Sequence, residues 1–135
     1  LSFTTEEIYT LINKDKKSIH LENFIEIPSK FENKKLNEKW IELKKIRDIC
    51  NISIESKRAS KEIGSSLEAN LIISLNKKIF EITKEVDFSE LCITSAAKIE
   101  KATTEETTVQ TEKAEGSKCP VCWKINKSQC ERHSS

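Results

Sequence analysis

The sequence predicts a mostly α chain with a small α/β part, closed by a metal-binding segment near its carboxyl end. Three observations point there. Only two Gly and two Pro punctuate 135 residues, which favours long helices over a many-stranded sandwich or barrel. Apolar residues recur in steps of three and four from Leu36 to Ile54, and the period then switches to two from Leu67 to Leu75. Three cysteines and a histidine crowd between Cys119 and His133.

The elements follow in order. Phe3-Thr4-Thr5-Glu6-Glu7-Ile8 reads as a helix start: Thr4 can cap it, Glu7 supplies the reciprocal bond, and Phe3 with Ile8 can staple it. The polar turn Asn13-Lys14-Asp15 ends it. Residues 19–24 are expected as an extended connector, with His20 in a surface or packing role. After Pro28, Ser29 and Glu32 offer a second capping pair. The main helix then buries one face through Leu36, Trp40, Leu43, Ile46, Cys50 and Ile54.

Beyond Ile63-Gly64-Ser65-Ser66 the pattern changes. Leu67, Ala69, Leu71, Ile73 and Leu75 alternate with Glu68, Asn70, Ile72 and Ser74, as a strand with one wet face does. Helical spacing returns over residues 76–86, and residues 91–99 read as a second strand. Strand, helix and strand make a small α/β unit. Residues 100–117 are rich in Thr and Glu, and two readings stand open: an edge strand near 107–112 or a flexible tether. The expected boundaries are therefore 1–63, 64–115 and 116–135.

Charge and composition narrow the function classes. The 23 Lys and Arg nearly cancel the 22 Asp and Glu, so any nucleic-acid surface is local. Between Lys34 and Lys61 nine cations stand against four acids, either a solvated helix face or a phosphate-facing stripe. No apolar run approaches the ~18–20 residues of a membrane span, and no basic start leads into an apolar signal core. A soluble chain is expected. Residue 1 is Leu and the sequence holds no Met, so a piece of a longer chain is expected too, with any catalytic centre upstream.

The five cysteines fall into two groups. Cys50 and Cys92 stand alone in apolar segments and read as small buried hydrophobes. Cys119-Pro120-Val121-Cys122, followed seven residues later by Cys130-Glu131-Arg132-His133, is C-x2-C then C-x2-H. Each pair makes a tight turn that aims two ligands at one point, and two such turns supply a closed tetrahedral set for Zn²⁺. With no fifth ligand and no adjacent general base, the site is structural, and metal binding supplies most of the segment's folding free energy. A redox Cys119/Cys122 pair is the competing chemistry, although it expects a thioredoxin-like βαβ setting. Around the ligands lie Lys118, Trp123, Lys124, Lys127 and Arg132. An aromatic ring among cations can stack on a base and grip phosphate, or Trp123 can pack over the metal site instead.

Several of these segments together resemble one family. Arg47-Asp48-Ile49-Cys50-Asn51, then Glu55, Arg58 and Lys61, and Ile63-Gly64-Ser65-Ser66-Leu67-Glu68-Ala69 look like the end of the anticodon-binding domain of bacterial-type isoleucyl-tRNA synthetases, which are class I aminoacyl-tRNA synthetases. Phe3-Thr4-Thr5-Glu6-Glu7 is similar to that family's F-T-A-E-E helix start, and Ser18-Ile19-His20-Leu21 to its S-V-H-L connector. Lys118-Cys119-Pro120-Val121-Cys122-Trp123 matches the K-C-x-x-C-W of its C-terminal zinc finger. The fourth ligand position, His133, is a departure, since the family usually carries Cys there.

The resemblance implies the end of a helical anticodon-binding bundle over residues 1–63, a junction over 64–115 and a zinc finger over 116–135. It implies tRNA(Ile) as partner, with no DNA and no membrane, in a cytoplasmic enzyme that is monomeric at full length. That enzyme charges tRNA with isoleucine using ATP, bound in a catalytic domain absent from this sequence, so this stretch alone is expected to be inactive. The implied RNA-facing residues are Trp123, Lys118, Lys124 and Arg132 on the finger, and Lys57, Arg58 and Lys61 on the bundle. A free-standing zinc-containing nucleic-acid adaptor is the alternative from another class.

Overall fold

A computed structural model describes residues 2–14, 17–130 and 132–133. The chain forms two compact units, Leu1–Asn33 and Lys34–Ser135. In the first, helix α1 spans Ser2–Ile12, so Thr4 lies within the helix and does not cap it. Phe3 and Ile8 remain exposed and form no tight staple. Asp15 of the expected polar turn lies outside the described residues. A 3-10 turn at Ile19–Leu21 interrupts the expected extended connector, because Ser18 accepts the His20 amide and caps it. Glu6 fastens that turn to α1 by accepting from the Ser18 hydroxyl and the Ile19 amide, at 2.9 and 3.0 Å.

The second unit begins with helix α2, Lys34–Ala59. Ser29 and Glu32 do not cap it: they belong to a separate 3-10 turn at Ser29–Phe31, where the Glu32 amide donates to the Ser29 carbonyl. The expected apolar stripe is buried from Leu43 through Ile46 and Cys50 to Ile54, while Leu36 and Trp40 stay 49% and 41% exposed. Length explains the difference. A helix of 26 residues is ~39 Å long, whereas a seven-residue strand spans only ~23 Å, so the sheet cannot cover the whole stripe.

That sheet holds β1 (Ala69–Leu75), β2 (Ala96–Lys101) and β3 (Thr108–Lys113) in the order β2-β1-β3. Strand β1 alternates as its sequence requires: Ala69, Leu71, Ile73 and Leu75 are buried, and the residues between them half-buried. It runs parallel to β2, with Asn70 opposite Ala96, and antiparallel to β3, with Ile73 opposite Val109. Residues 107–112 thus fall on the edge-strand side of the two open readings. The Thr111 hydroxyl, 2.6 Å from that of Ser53, ties β3 to α2.

The crossover from β1 to β2 carries two helices, α3 (Lys77–Thr83) and α4 (Phe88–Leu91). Asn76 caps α3 through the Ile79 amide. Asp87 caps α4 by accepting from the Ser89 and Glu90 amides, and Phe88 is buried in the core. The second strand starts five residues later than the expected 91–99, because α4 runs to Leu91 and the turn through Ile93 that closes it takes up the next residues. One apolar cluster joins the α2 stripe, the inward residues of β1, Phe88 and Cys92. Cys50 and Cys92 both lie inside it, as small hydrophobes do, and contact between the two thiols together with burial pushes the Cys50 thiol far up. No helix among the described residues is long and apolar enough to cross a membrane.

Candidate metal centre and nucleic-acid face

After β3 the chain turns through Gly116 into a small hairpin, β4 (Ser117–Lys118) and β5 (Ile125–Asn126), with Lys118 opposite Ile125. The knuckle between these strands is closed by backbone bonds. The Cys119 amide donates to the Lys124 carbonyl at 2.9 Å, and the Trp123 amide to the Cys119 carbonyl at 3.0 Å. To close so tightly the backbone takes φ 65° at Trp123, a left-handed conformation costly for a residue with a β-carbon.

This turn and the one ending at His133 bring four ligand atoms together. The thiols of Cys119, Cys122 and Cys130 and the imidazole of His133 all lie within 4.8 Å of one another and could hold a metal ion. Cys122 Sγ and Cys130 Sγ are 3.8 Å apart, and His133 Nδ1 lies 3.6 Å from Cys119 Sγ and 3.5 Å from Cys130 Sγ. A tetrahedral ion with bonds of about 2.3 Å to sulfur and about 2.0–2.1 Å to nitrogen needs edges of about 3.8 Å between sulfurs and about 3.6 Å between sulfur and nitrogen. These three separations match those edges. Three sulfurs and one imidazole form a set compatible with zinc and ill-suited to the oxygen-seeking Mg²⁺ or Ca²⁺. The Cys122 and Val121 amides point at Cys119 and bring its thiol down to about 6, so it is a ready thiolate at neutral pH. At Cys122 the Lys124 amide pulls the other way, but burial and the sulfurs of Cys119 and Cys130 leave that thiol raised.

The remaining sequence-predicted residues divide. Trp123 is 59% exposed, so its ring does not form a buried miniature core, and Lys118 Nζ sits 5.6 Å from the ring centroid. Lys124 turns away from solvent: its Nζ meets Glu90 Oε1 at 2.7 Å and the Ser89 hydroxyl at 3.3 Å. Arg132 reaches the same Glu90 oxygen at 3.3 Å. Lys127 pairs with Glu115 at 3.0 Å. On α2, Lys57 pairs with Glu62 and Arg58 with Glu55, each at 2.7 Å, and Arg47 donates to the Leu91 carbonyl. Lys61, just past the helix end with φ 60°, enters none of the ion pairs found among the described residues. Sequence reasoning missed Glu90 and Ser95. The Ser95 hydroxyl donates to the Leu67 carbonyl and accepts the Ile125 amide at 2.6 Å, fixing the hairpin to the sheet. Neither residue belongs to a local motif, and only the fold brings them to the knuckle.

No family model matches the chain. Curated proteins do. It is 71% identical over 134 residues to the isoleucine–tRNA ligase of Pelagibacter ubique, covering 99% of this chain and 15% of that protein. The isoleucine–tRNA ligases of Zymomonas mobilis and Agrobacterium fabrum are 35% and 34% identical over 91% and 93% of the chain, which covers 13% and 14% of their lengths. The chain thus spans about one seventh of the relatives it matches. The Pelagibacter ubique match, 71% identical across 134 residues, with further isoleucine–tRNA ligases aligned over more than nine tenths of the chain, establishes that the chain belongs to the isoleucine–tRNA ligase family as a C-terminal part.

Proposed function

We propose that this segment contributes tRNA recognition to an isoleucine–tRNA ligase. The whole enzyme joins isoleucine to tRNA(Ile) at the expense of ATP in the cytoplasm, and this part adds no reacting group. Residues 1–63 serve the anticodon-binding side, 64–115 the junction, and 116–135 form a finger around one structural Zn²⁺ held by Cys119, Cys122, Cys130 and His133. Bound zinc neutralises thiolate charge and fixes two turns that are too short to bury a core of their own.

One observation carries the reading: Trp123 stands exposed on the knuckle with a lysine ammonium beside its ring. An indole face offers a base a stacking platform, and a neighbouring cation meets the phosphate that accompanies it. Shielding so large a ring from water would ordinarily stabilise the knuckle, and the backbone at Trp123 is strained as well. The exposure is intelligible if an RNA base supplies the missing cover, and the strained backbone holds the ring in that place. Titration of the zinc-loaded chain with a tRNA(Ile) transcript tests it. Trp123→Ala is expected to weaken binding by about 1–3 kcal/mol while leaving zinc content unchanged. Equal binding by wild type and variant would refute the stacking role.

A further inference from the structure

We infer that Glu90 and Ser95 are positioning residues: they lock the knuckle onto the α/β unit through Lys124, Arg132 and Ile125, so that RNA meets the Trp123–Lys118 face and not the Lys124–Arg132 face. The inference deepens the tRNA-recognition reading and rests on it.

Glu90 and Ser95 make a two-point joint. A single carboxylate oxygen of Glu90 receives both Lys124 Nζ and Arg132 Nη2, at 2.7 and 3.3 Å. The Lys124 side chain is only 19% exposed, and its ammonium also meets the Ser89 hydroxyl. A phosphate seeking these cations would have to displace an acid already in place. Five residues on, Ser95 bridges the Leu67 carbonyl and the Ile125 amide, so the hairpin is bonded to the sheet on its other side. Lys118 has no such partner in α4 and points its ammonium toward the Trp123 ring.

Backbone strain marks the same joint. Helix α4 ends with the Thr94 amide on the Ser89 carbonyl and the Ile93 amide on the Glu90 carbonyl, a left-handed closure that usually takes Gly. Here the residue is Ile93 at φ 56°, β-branched and unsuited to that region. Trp123 at φ 65° immediately precedes Lys124. Both partners of the Glu90–Lys124 pair therefore stand near a residue held in an unfavourable conformation. Such conformations persist where the surroundings over-determine them.

Electrostatics makes the test sharp. If Lys124 and Arg132 faced RNA, removing the nearby acid would free two cations, tighten binding and steepen its salt dependence. The joint requires the opposite. In the whole zinc-loaded chain, Glu90→Gln and Ser95→Ala should each weaken binding of a tRNA(Ile) transcript about five- to tenfold, with the salt slope unchanged. Zinc content and circular dichroism should stay at wild-type values. Glu90→Gln combined with Lys124→Met should bind no more weakly than either single variant. The Ile125 amide should exchange its hydrogen about tenfold faster in both single variants. Equal or tighter binding by Glu90→Gln, or unchanged Ile125 exchange, overturns the inference. If the wild-type chain binds no tRNA, the recognition reading falls, and Ile125 exchange alone decides whether the joint exists.

Discussion

Gly116 and Asn126 approach so closely that a β-carbon on the glycine would stand 2.1 Å from the asparagine carbonyl oxygen. Gly116 also has φ 128°, outside the range that L side chains adopt with ease. Two independent reasons thus require glycine where β3 hands over to the knuckle. Gly116→Ala is expected to destabilise the hairpin by at least about 2 kcal/mol. Competition with a chelating dye should show at least a tenfold loss in zinc affinity, with the sheet's circular dichroism retained. Unaltered zinc affinity would mean that the hairpin does not help hold the metal.

The two cysteine populations should separate by experiment. Cys50 and Cys92 are buried in the apolar cluster and take no part in the ligand set. Cys50→Ala should cost about 1–2 kcal/mol in urea unfolding, from the lost packing of one sulfur, and leave zinc stoichiometry at its wild-type value. A drop in zinc content in this variant would contradict the division.

Asp87 offers a test by acid. The Ser89 side chain, with the Ser89 and Glu90 amides, holds its carboxyl below the usual aspartate range. A lowered folded-state value means that the stabilisation is complete above the unfolded aspartate pKa of about 3.9 and drains as pH falls through the folded value. Asp87→Ala should therefore cost about 1 kcal/mol at neutral pH, and the gap from wild type should persist to about pH 5 and close below about pH 4. Urea melts of the metal-free chain isolate this effect from proton competition at the thiolates. A gap that widened on acidification would reverse the assigned sign.

The basic residues at the end of α2 and just beyond it should be unequal. Lys57 and Arg58 sit in ion pairs with Glu62 and Glu55, whereas Lys61 enters none among the described residues. If the end of α2 meets phosphate, Lys61→Ala should lower the salt slope of tRNA binding by about one unit. Lys57→Ala should lower it less, since part of its charge is already answered locally. Equal slopes for wild type and Lys61→Ala would remove that residue from the interface.

Local periodicity made much of this legible. The stripe from Leu43 to Ile54 and the alternation from Ala69 to Leu75 are buried as their spacing requires. The C-x2-C and C-x2-H turns converge because each pair needs only a few residues to aim both ligands. What depended on distant partners was not legible. The choice between strand and tether at 107–112 rests on pairing with β1 and on the Ser53–Thr111 contact, 58 residues apart in sequence. Helix α4 is four residues long, too short for any period to show, and it falls largely in the gap between the expected helix at 76–86 and the expected strand at 91–99. The pairing of Lys124 and Arg132 with Glu90, 34 and 42 residues earlier, was not legible, because Glu90 carries no motif that announces it.

Metal analysis of the purified chain under reducing conditions bears most directly on the whole account. One equivalent of zinc per chain, lost together in Cys119→Ser, is the expected result. A chain that folds its sheet yet carries no zinc after exposure to an equimolar supply would contradict it.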